Sequence, residues 1–241
     1  MIVLFTDFGV AGPYMGQMRA VLARAAPGVP VIDLFSNAPA FNAKASAYLL
    51  AAYCTEFTPG TVFLCVVDPG VGGPRAAIAL EADGRWYVAP DNGLLSVAAR
   101  RAAVVRWWRI TWRPANLSAS FHGRDLFAPV AARLALGQSL PGEPDDGRDK
   151  IGGDWPDELA EIIYIDHYGN AMTGFRAANL GPGARLTVGG TGLARAHTFS
   201  DVPEGAAFWY ENANGLAEIA VNGASAEKAL GLSIGENVGV A

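Results

Sequence analysis

"TVFLCVVDPGVGGPR", residues 61–75, joins a short apolar run to an acid, a cluster of turn formers and a base. Residues 61–67 read as a strand, continuously apolar from Val62 and rich in β-branched side chains, the pattern of a strand buried on both faces of a parallel sheet. The run stops at Asp68, and Pro69, Gly70, Gly72 and Gly73 turn the chain before Arg75. Upstream, "IVLF" (2–5) and "VPVIDLF" (29–35) read as two further strands. Between them stand "GPYMGQMRAVLARAAPG" (12–28), with apolar residues at helical spacing, and the Ala-rich "AFNAKASAYLLAAYCTEF" (40–57). The order β-α-β-α-β predicts parallel strands with right-handed crossovers.

Beyond residue 75 the pattern changes. "AAIALEADGRWYVAP" (76–90) places Asp83-Gly84 between two apolar runs, a hairpin signal. "DNGLLSVAARR" (91–101) predicts a helix, "AVVRWWRITW" (103–112) a strand and "RDLFAPVAARLALG" (124–137) a last helix. Residues 138–156 are rich in Pro, Gly and Asp and predict a linker. Short alternating strands with Gly and Asn turns follow, such as "EIIYIDHYGNAMTGF" and "AAFWYENANGLAEIAVNG", which predict a small β-barrel or sandwich. The expected division is an N-terminal α/β domain (1–140), a linker (141–156) and a C-terminal domain (157–241).

A chain of 241 residues, 51% of them hydrophobic, fills one large domain or two modest ones. Its net charge of −5 and the lack of a basic block argue against nucleic acid as a partner. The most basic aromatic patch, Trp107-Trp108 among Arg106, Arg109 and Arg113, reads as a partly covered edge strand. Cys54 and Cys65 read as buried free thiols of a reduced compartment, with no metal spacing around them. The N-terminus lacks a signal-peptide pattern, and no apolar stretch is long enough for a bilayer. A soluble cytoplasmic protein without a membrane partner is expected.

In open parallel sheets, ligands bind beyond the carboxyl ends of the strands. Asp7 follows the first strand, Ser36-Asn37 the second, Asp68 the third, and Pro90-Asp91-Asn92-Gly93 the hairpin. Singly such residues only cap turns; four such loop ends together point to a site. "DPGVGG" is neither a dinucleotide fingerprint nor a phosphate loop, and no Gly-x-Ser-x-Gly elbow occurs. No zinc pattern is present. His122, in "SFHGRDLFAP" with Gly123, Arg124 and Asp125, is placed to orient a water or carry a proton if it shares a cleft with an acid. Asp166-His167-Tyr168-Gly169-Asn170 reads as a hairpin turn, and Phe199, Phe208, Trp209 and Tyr210 as core of the second domain.

Taken in order, "TDFG" (6–9), "DPGVGG" (68–73) with Arg75, "PDNGLL" (90–95), "FHGRDLFAP" (121–129), "IDHYGN" (165–170) and "NGLAEIAVNGASA" (214–226) make the chain resemble one family. This is the S-adenosyl-L-methionine (SAM) hydroxide adenosyltransferases, or SAM hydrolases, relatives of the fluorinases and chlorinases. The resemblance implies an α/β domain with a mainly parallel sheet and flanking helices, a smaller all-β barrel domain, and a homotrimer with sites at subunit interfaces. It implies hydrolysis of SAM to adenosine and methionine by attack of activated water on the ribose C5′, without a metal or other cofactor. The family's water-activating trio falls on Asp68, Arg75 and His122. Asp7 falls on the acid that accepts the ribose hydroxyls, with Phe8 beside it, and Phe41 where the halogenases carry Trp near the nucleoside. Asp166 matches the acid for the methionine ammonium, Asn170 the amide that reads adenine, and Phe199 the ring that stacks on it. Val221 and Gly223 would meet the adenine edge by main chain. At 213–214 the relatives carry Ser-Arg near the methionine carboxylate. This chain has Ala213-Asn214, which leaves only backbone N–H groups for that contact. Asp68 replaces an uncharged aromatic of the halide pocket and favours water over halide. The alternatives are a halogenase-like enzyme, a non-catalytic SAM or adenosine binder, and a hydrolase of another adenosyl substrate.

Overall fold

The computed structural model describes residues 1–241, which divide between Asp154 and Trp155 into two compact units. The first unit runs β1 (Ile2–Thr6), α1 (Tyr14–Ala25), β2 (Val31–Phe35), α2 (Ala43–Tyr53), β3 (Val62–Val66), β4 (Ala77–Ala82), β5 (Arg85–Pro90), α3 (Ser96–Arg101), β6 (Val105–Ile110), α4 (Ala128–Ala135) and β7 (Gly142–Asp145). Its sheet has the order β2-β1-β3-β5-β4-β6-β7. Strands β1 and β3 are buried at every position, as their uninterrupted apolar runs require.

The sheet is mixed rather than mainly parallel. The pairs β1–β2, β1–β3 and β3–β5 are parallel, whereas β4–β5, β4–β6 and β6–β7 are antiparallel. The Asp83-Gly84 hairpin causes the switch. Both turn residues have positive φ (48° and 76°), so the strands fold back with Ala82 opposite Arg85. Its second strand joins the parallel half and its first turns outward. The Trp107-Trp108 strand is not an edge, because β7 pairs with it and sets Pro144 opposite Trp108. Part of the stretch read as linker is therefore this outer strand. Its Pro is tolerated because the outermost strand has one edge free of ladder bonds.

The predicted helix at 124–137 opens with a π-helical turn over Gly123–Phe127 before α4. Leu126, Phe127, Val130 and Ala131 pack with Leu4, Leu64 and Met18 in one core beneath that turn.

The second unit contains β8 (Leu159–Ile165), β9 (Ala171–Arg176), β10 (Leu186–Val188), β11 (Thr191–Leu193), β12 (Ala207–Glu211), β13 (Leu216–Val221), α5 (Ala226–Leu230) and β14 (Gly239–Val240). Its strands form two sheets, β12-β13-β9-β8 and β11-β10-β14. Single bridges, Glu161 with Asn237 and Arg195 with Trp209, tie the two sheets at both edges. Trp209, Ile162, Ile219 and Leu186 fill the core between them. No helix of the structure is long and apolar enough to cross a membrane.

Candidate active site

Parallel pairing of β1 with β3 sets Thr6 opposite Val66, so the acids that follow them, Asp7 and Asp68, emerge at the same sheet edge. The β3 exit is held by Asn92, whose Nδ2 donates to the Val67 carbonyl at 2.7 Å. The loop after Asp68 is tightened by Val71 N–H to Asp68 O (3.2 Å) and Gly73 N–H to Gly70 O (3.0 Å). Gly72 has φ +79°, and a Cβ there would lie 2.4 Å from the Ala119 carbonyl oxygen. Glycine thus lets this loop press against the 118–121 segment, which delivers His122.

There Arg75 joins the two. Its Nε donates to Asp68 Oδ1 at 2.9 Å, and its Nη2 contacts Asp68 Oδ2 and lies 3.0 Å from His122 Nδ1. The Arg75 and Asp68 side chains are only 12% and 5% exposed. The guanidinium also sits 5.2 Å from the centroid of the Phe127 ring, which fixes it from below. A guanidinium only donates, so Nδ1 of His122 must be the acceptor and the ring proton belongs on Nε2. Burial and, after it, the Arg75 charge hold His122 below its ordinary pKa, against the opposing pull of Asp68.

A cleft of about 340 Å³ opens over this cluster, walled by Asp7, Asp68, His122 and the rings of Phe8, Tyr14, Phe41 and Phe121. Arg75 is not part of its wall; it braces Asp68 and His122 from behind. Phe8, Tyr14 and Phe121 pack with centroids 5.4–5.8 Å apart. Gly123 makes room for them, since a Cβ there would come within 3.2 Å of Phe8. Asp7 Oδ2 accepts the Phe41 N–H at 3.0 Å. Burial raises the Asp7 pKa, the Phe41 bond counters it, and the Asp68 charge adds to the rise. Phe41 itself is 77% exposed with φ +59°, an unusual conformation for a bulky residue, and it holds its ring at the cleft mouth.

The second unit carries a separate cleft of about 640 Å³, with Asp166, Asn170, Phe199, Tyr210, Val221 and Gly223 in its wall. It forms around the predicted β8–β9 hairpin turn. Asp166 Oδ1 accepts the N–H groups of Tyr168 and Asn170, both at 2.9 Å, and Oδ2 accepts Asn170 Nδ2 at 3.2 Å. One amide hydrogen of Asn170 is thereby committed, leaving its carbonyl and second hydrogen for a ligand. Gly169 at φ +86° seals the turn, with Ser225 Oγ 2.0 Å from where a Cβ would be. Phe208 and Trp209 are core, but Phe199 and Tyr210 form the cleft wall. Ala213 and Asn214 lie in the β12–β13 turn and outside that wall. The Asn214 N–H is already taken by Asn212 Oδ1 at 3.0 Å, so it is not the open donor expected for a carboxylate.

Sequence reading missed Tyr14, Phe121, Tyr168 and Tyr210 as wall residues. Phe121 and Tyr168 stood beside singled-out residues, whereas Tyr14 at the head of α1 carried no signal. No group of three or more His, Cys, Asp or Glu side chains is arranged to hold a metal ion.

Family models described as the N-terminal and C-terminal domains of SAM hydroxide adenosyltransferase match residues 2–142 and 160–239. The chain is 39% identical to an (R)-S-adenosyl-L-methionine hydrolase of Thermus thermophilus over 97% of this chain and 96% of that one. A fluorinase of an Actinoplanes species is more distant, at 23% identity over 58% of this chain and 56% of the relative. Among solved structures, an uncharacterized conserved protein from Thermotoga maritima superposes with a TM-score of 0.88 at 32% identity, covering 100% of this chain and 99% of that one. With both halves matched and a relative this similar over nearly its whole length, the chain belongs to the SAM hydroxide adenosyltransferase family.

Proposed function

We propose that this protein hydrolyses SAM to adenosine and L-methionine by in-line attack of water on the ribose C5′. The observation that carries this is the Asp68–Arg75–His122 cluster, two of whose members wall the same cleft as Asp7. Asp7 accepts the ribose hydroxyls, which sets C5′ over the cluster. Arg75 occupies one direction at each Asp68 oxygen, leaving lone pairs for a water. His122, protonated on Nε2, orients that water from the other side. As the C5′–O bond forms, the C5′–S bond breaks and its electron pair returns to sulfur. The sulfonium leaves as a neutral thioether, so no acid is needed at the leaving group, and no metal or other cofactor is required. The attacking water becomes a strongly acidic oxonium, and a carboxylate suffices to take its proton.

The second cleft takes the rest of the substrate: Phe199 stacks on adenine, Asn170 reads its edge, Val221 and Gly223 line it, and Asp166 pairs with the methionine ammonium. Each cleft is open, and each has an exposed aromatic at its mouth, Phe41 and Tyr168 at 77% and 76% exposure. This supports completion of the first unit's cleft by the second unit of a neighbouring subunit, in the homotrimer that the family resemblance implies. The paired edges of the two C-terminal sheets support a barrel-like closure of that unit. Two free buried thiols fit a reducing compartment, the cytoplasm. The curated relatives are named for the (R) epimer of SAM. Anchoring ribose and ammonium at fixed points would likewise fix which side the sulfonium methyl occupies, so the same epimer is proposed here.

Water is favoured over halide because a buried carboxylate in the cleft repels anions. The test incubates purified protein with epimeric SAM alone and with fluoride or chloride added. Adenosine in every tube, with the (S) epimer left over, supports the proposal. A 5′-halogenated nucleoside would replace it with a halogenase, and binding without turnover with a sensor.

A further inference from the structure

Glu218 lies on β13 with 2% exposure, and no step of the proposed reaction uses it. Its Oε1 accepts the Tyr210 hydroxyl at 2.6 Å, and its Oε2 accepts Asn212 Nδ2 at 2.8 Å. Burial pushes its pKa up, the two bonds pull it down, and the Asp166 charge raises it again. An apolar residue would occupy this place at less cost than a buried carboxylate. What Glu218 holds is therefore the reason to look for a role.

Tyr210 leads to the wall of the second cleft, and Asn212 to the β12–β13 turn. Strands β12 and β13 pair with Tyr210 directly opposite Glu218, so the bond spans one rung of the sheet. The Tyr210 ring stands 5.2 Å from Phe199 and 5.8 Å from Phe208, and its orientation sets the aromatic wall of the second cleft. On the other side, Asn212 Oδ1 accepts the N–H groups of Asn214 and Leu216, each at 3.0 Å, and so shapes the β12–β13 turn. Asn212 cannot reverse its amide without breaking these bonds, so the direction of its bond to Glu218 is fixed.

We infer that Glu218 is a positioning residue for substrate recognition, which locks Tyr210 into the cleft wall and, through Asn212, the adjoining turn. This rests on the reading that the second cleft takes the adenine of the substrate. Glu218→Gln keeps size and an oxygen for Asn212, so its amide must face Tyr210, and the charged bond from the hydroxyl gives way to a weaker neutral one that Tyr210 accepts. Tyr210→Phe keeps the ring and loses the tie.

The experiment measures SAM turnover, and adenosine binding by calorimetry, for wild type, E218Q, Y210F and the double variant, with melting temperature as the folding control. Each single variant should raise KM and the adenosine Kd by about 5-fold or more while kcat changes by less than about 2-fold, the pattern of lost binding. The double variant should be no worse than the weaker single, because both act on the same tie. A folded E218Q with wild-type KM and Kd, or single effects that multiply in the double, would overturn the inference. If E218Q fails to fold, Y210F decides alone: raised KM and Kd support it and unchanged values refute it. Absence of turnover in the wild type would count against the hydrolase reading only, and adenosine binding would still decide the role of Glu218.

Discussion

Replacing Arg75 separates its two jobs, charge and geometry. Arg75→Ala removes both bonds to Asp68 and the one to His122, and it leaves a carboxylate only 5% exposed without its counter-ion. Breaking a buried pair by removing one partner costs about 3–5 kcal/mol. For a chain of this size that lowers Tm by about 6–20 °C. Arg75→Lys retains the charge, but one ammonium cannot span Asp68 and His122 with a fixed fork, so it should be milder in Tm. In kcat the two should look alike. In the proposed mechanism the water is held by groups that Arg75 braces, so both variants should lose about 10²–10³-fold in kcat, as for other losses of preorganised polar groups. The acid limb of the pH–rate profile should shift only in the alanine variant. There His122 loses the cation that lowers its pKa and keeps Asp68, which raises it. The assay is adenosine release followed by chromatography from pH 5 to 9, with thermal unfolding alongside. An Arg75→Lys variant with wild-type kcat, or an Arg75→Ala variant whose acid limb stays in place, would refute the bracing role.

Other consequences follow from single contacts. In the wild type, His122 titrates below 6.5, so kcat/KM should be level above that value and fall on its acid side; native stability should also drop there, because the unfolded chain takes the proton first. A limb centred above 6.5 contradicts this. Asp7→Asn should raise KM for SAM by about 10–100-fold with a smaller effect on kcat, since a charged acceptor of hydroxyl donors is lost away from the reacting atoms; steady-state kinetics decides. Gly169→Ala forces a Cβ 2.0 Å from Ser225 Oγ at a positive φ, and should destabilise the second unit by about 1–3 kcal/mol and weaken substrate binding through Asp166. An unchanged melting curve would contradict the turn's role.

The parts of the fold with a strong local cause were legible in the sequence. Residues 62–67 and 2–5 had to be buried strands because nothing polar interrupts them, and Asp83-Gly84 had to turn because both residues accept positive φ. The mixed character of the sheet was not legible, since strand direction in the second half depends on which hairpin strand docks against β3. Strand β7 was hidden because Gly, Pro and Asp are turn formers, and only pairing with β6 makes them a strand. At the site, Asp7 and Asp68 could be placed from strand order alone. The link from Arg75 to His122 spans 47 positions and left no trace in spacing; the family resemblance supplied it. Tyr210 looked like core because its ring is aromatic and its strand alternates. It stands on the face of β12 opposite the core residue Trp209, where the bond to Glu218 fixes its hydroxyl.

If water held by Asp68 and His122 attacks C5′, its oxygen must end in the nucleoside. Turnover of SAM in ¹⁸O-labelled water should give adenosine carrying one labelled oxygen, at the 5′ hydroxyl, and unlabelled methionine. Adenosine without label, label in methionine, or no adenosine at all would contradict it.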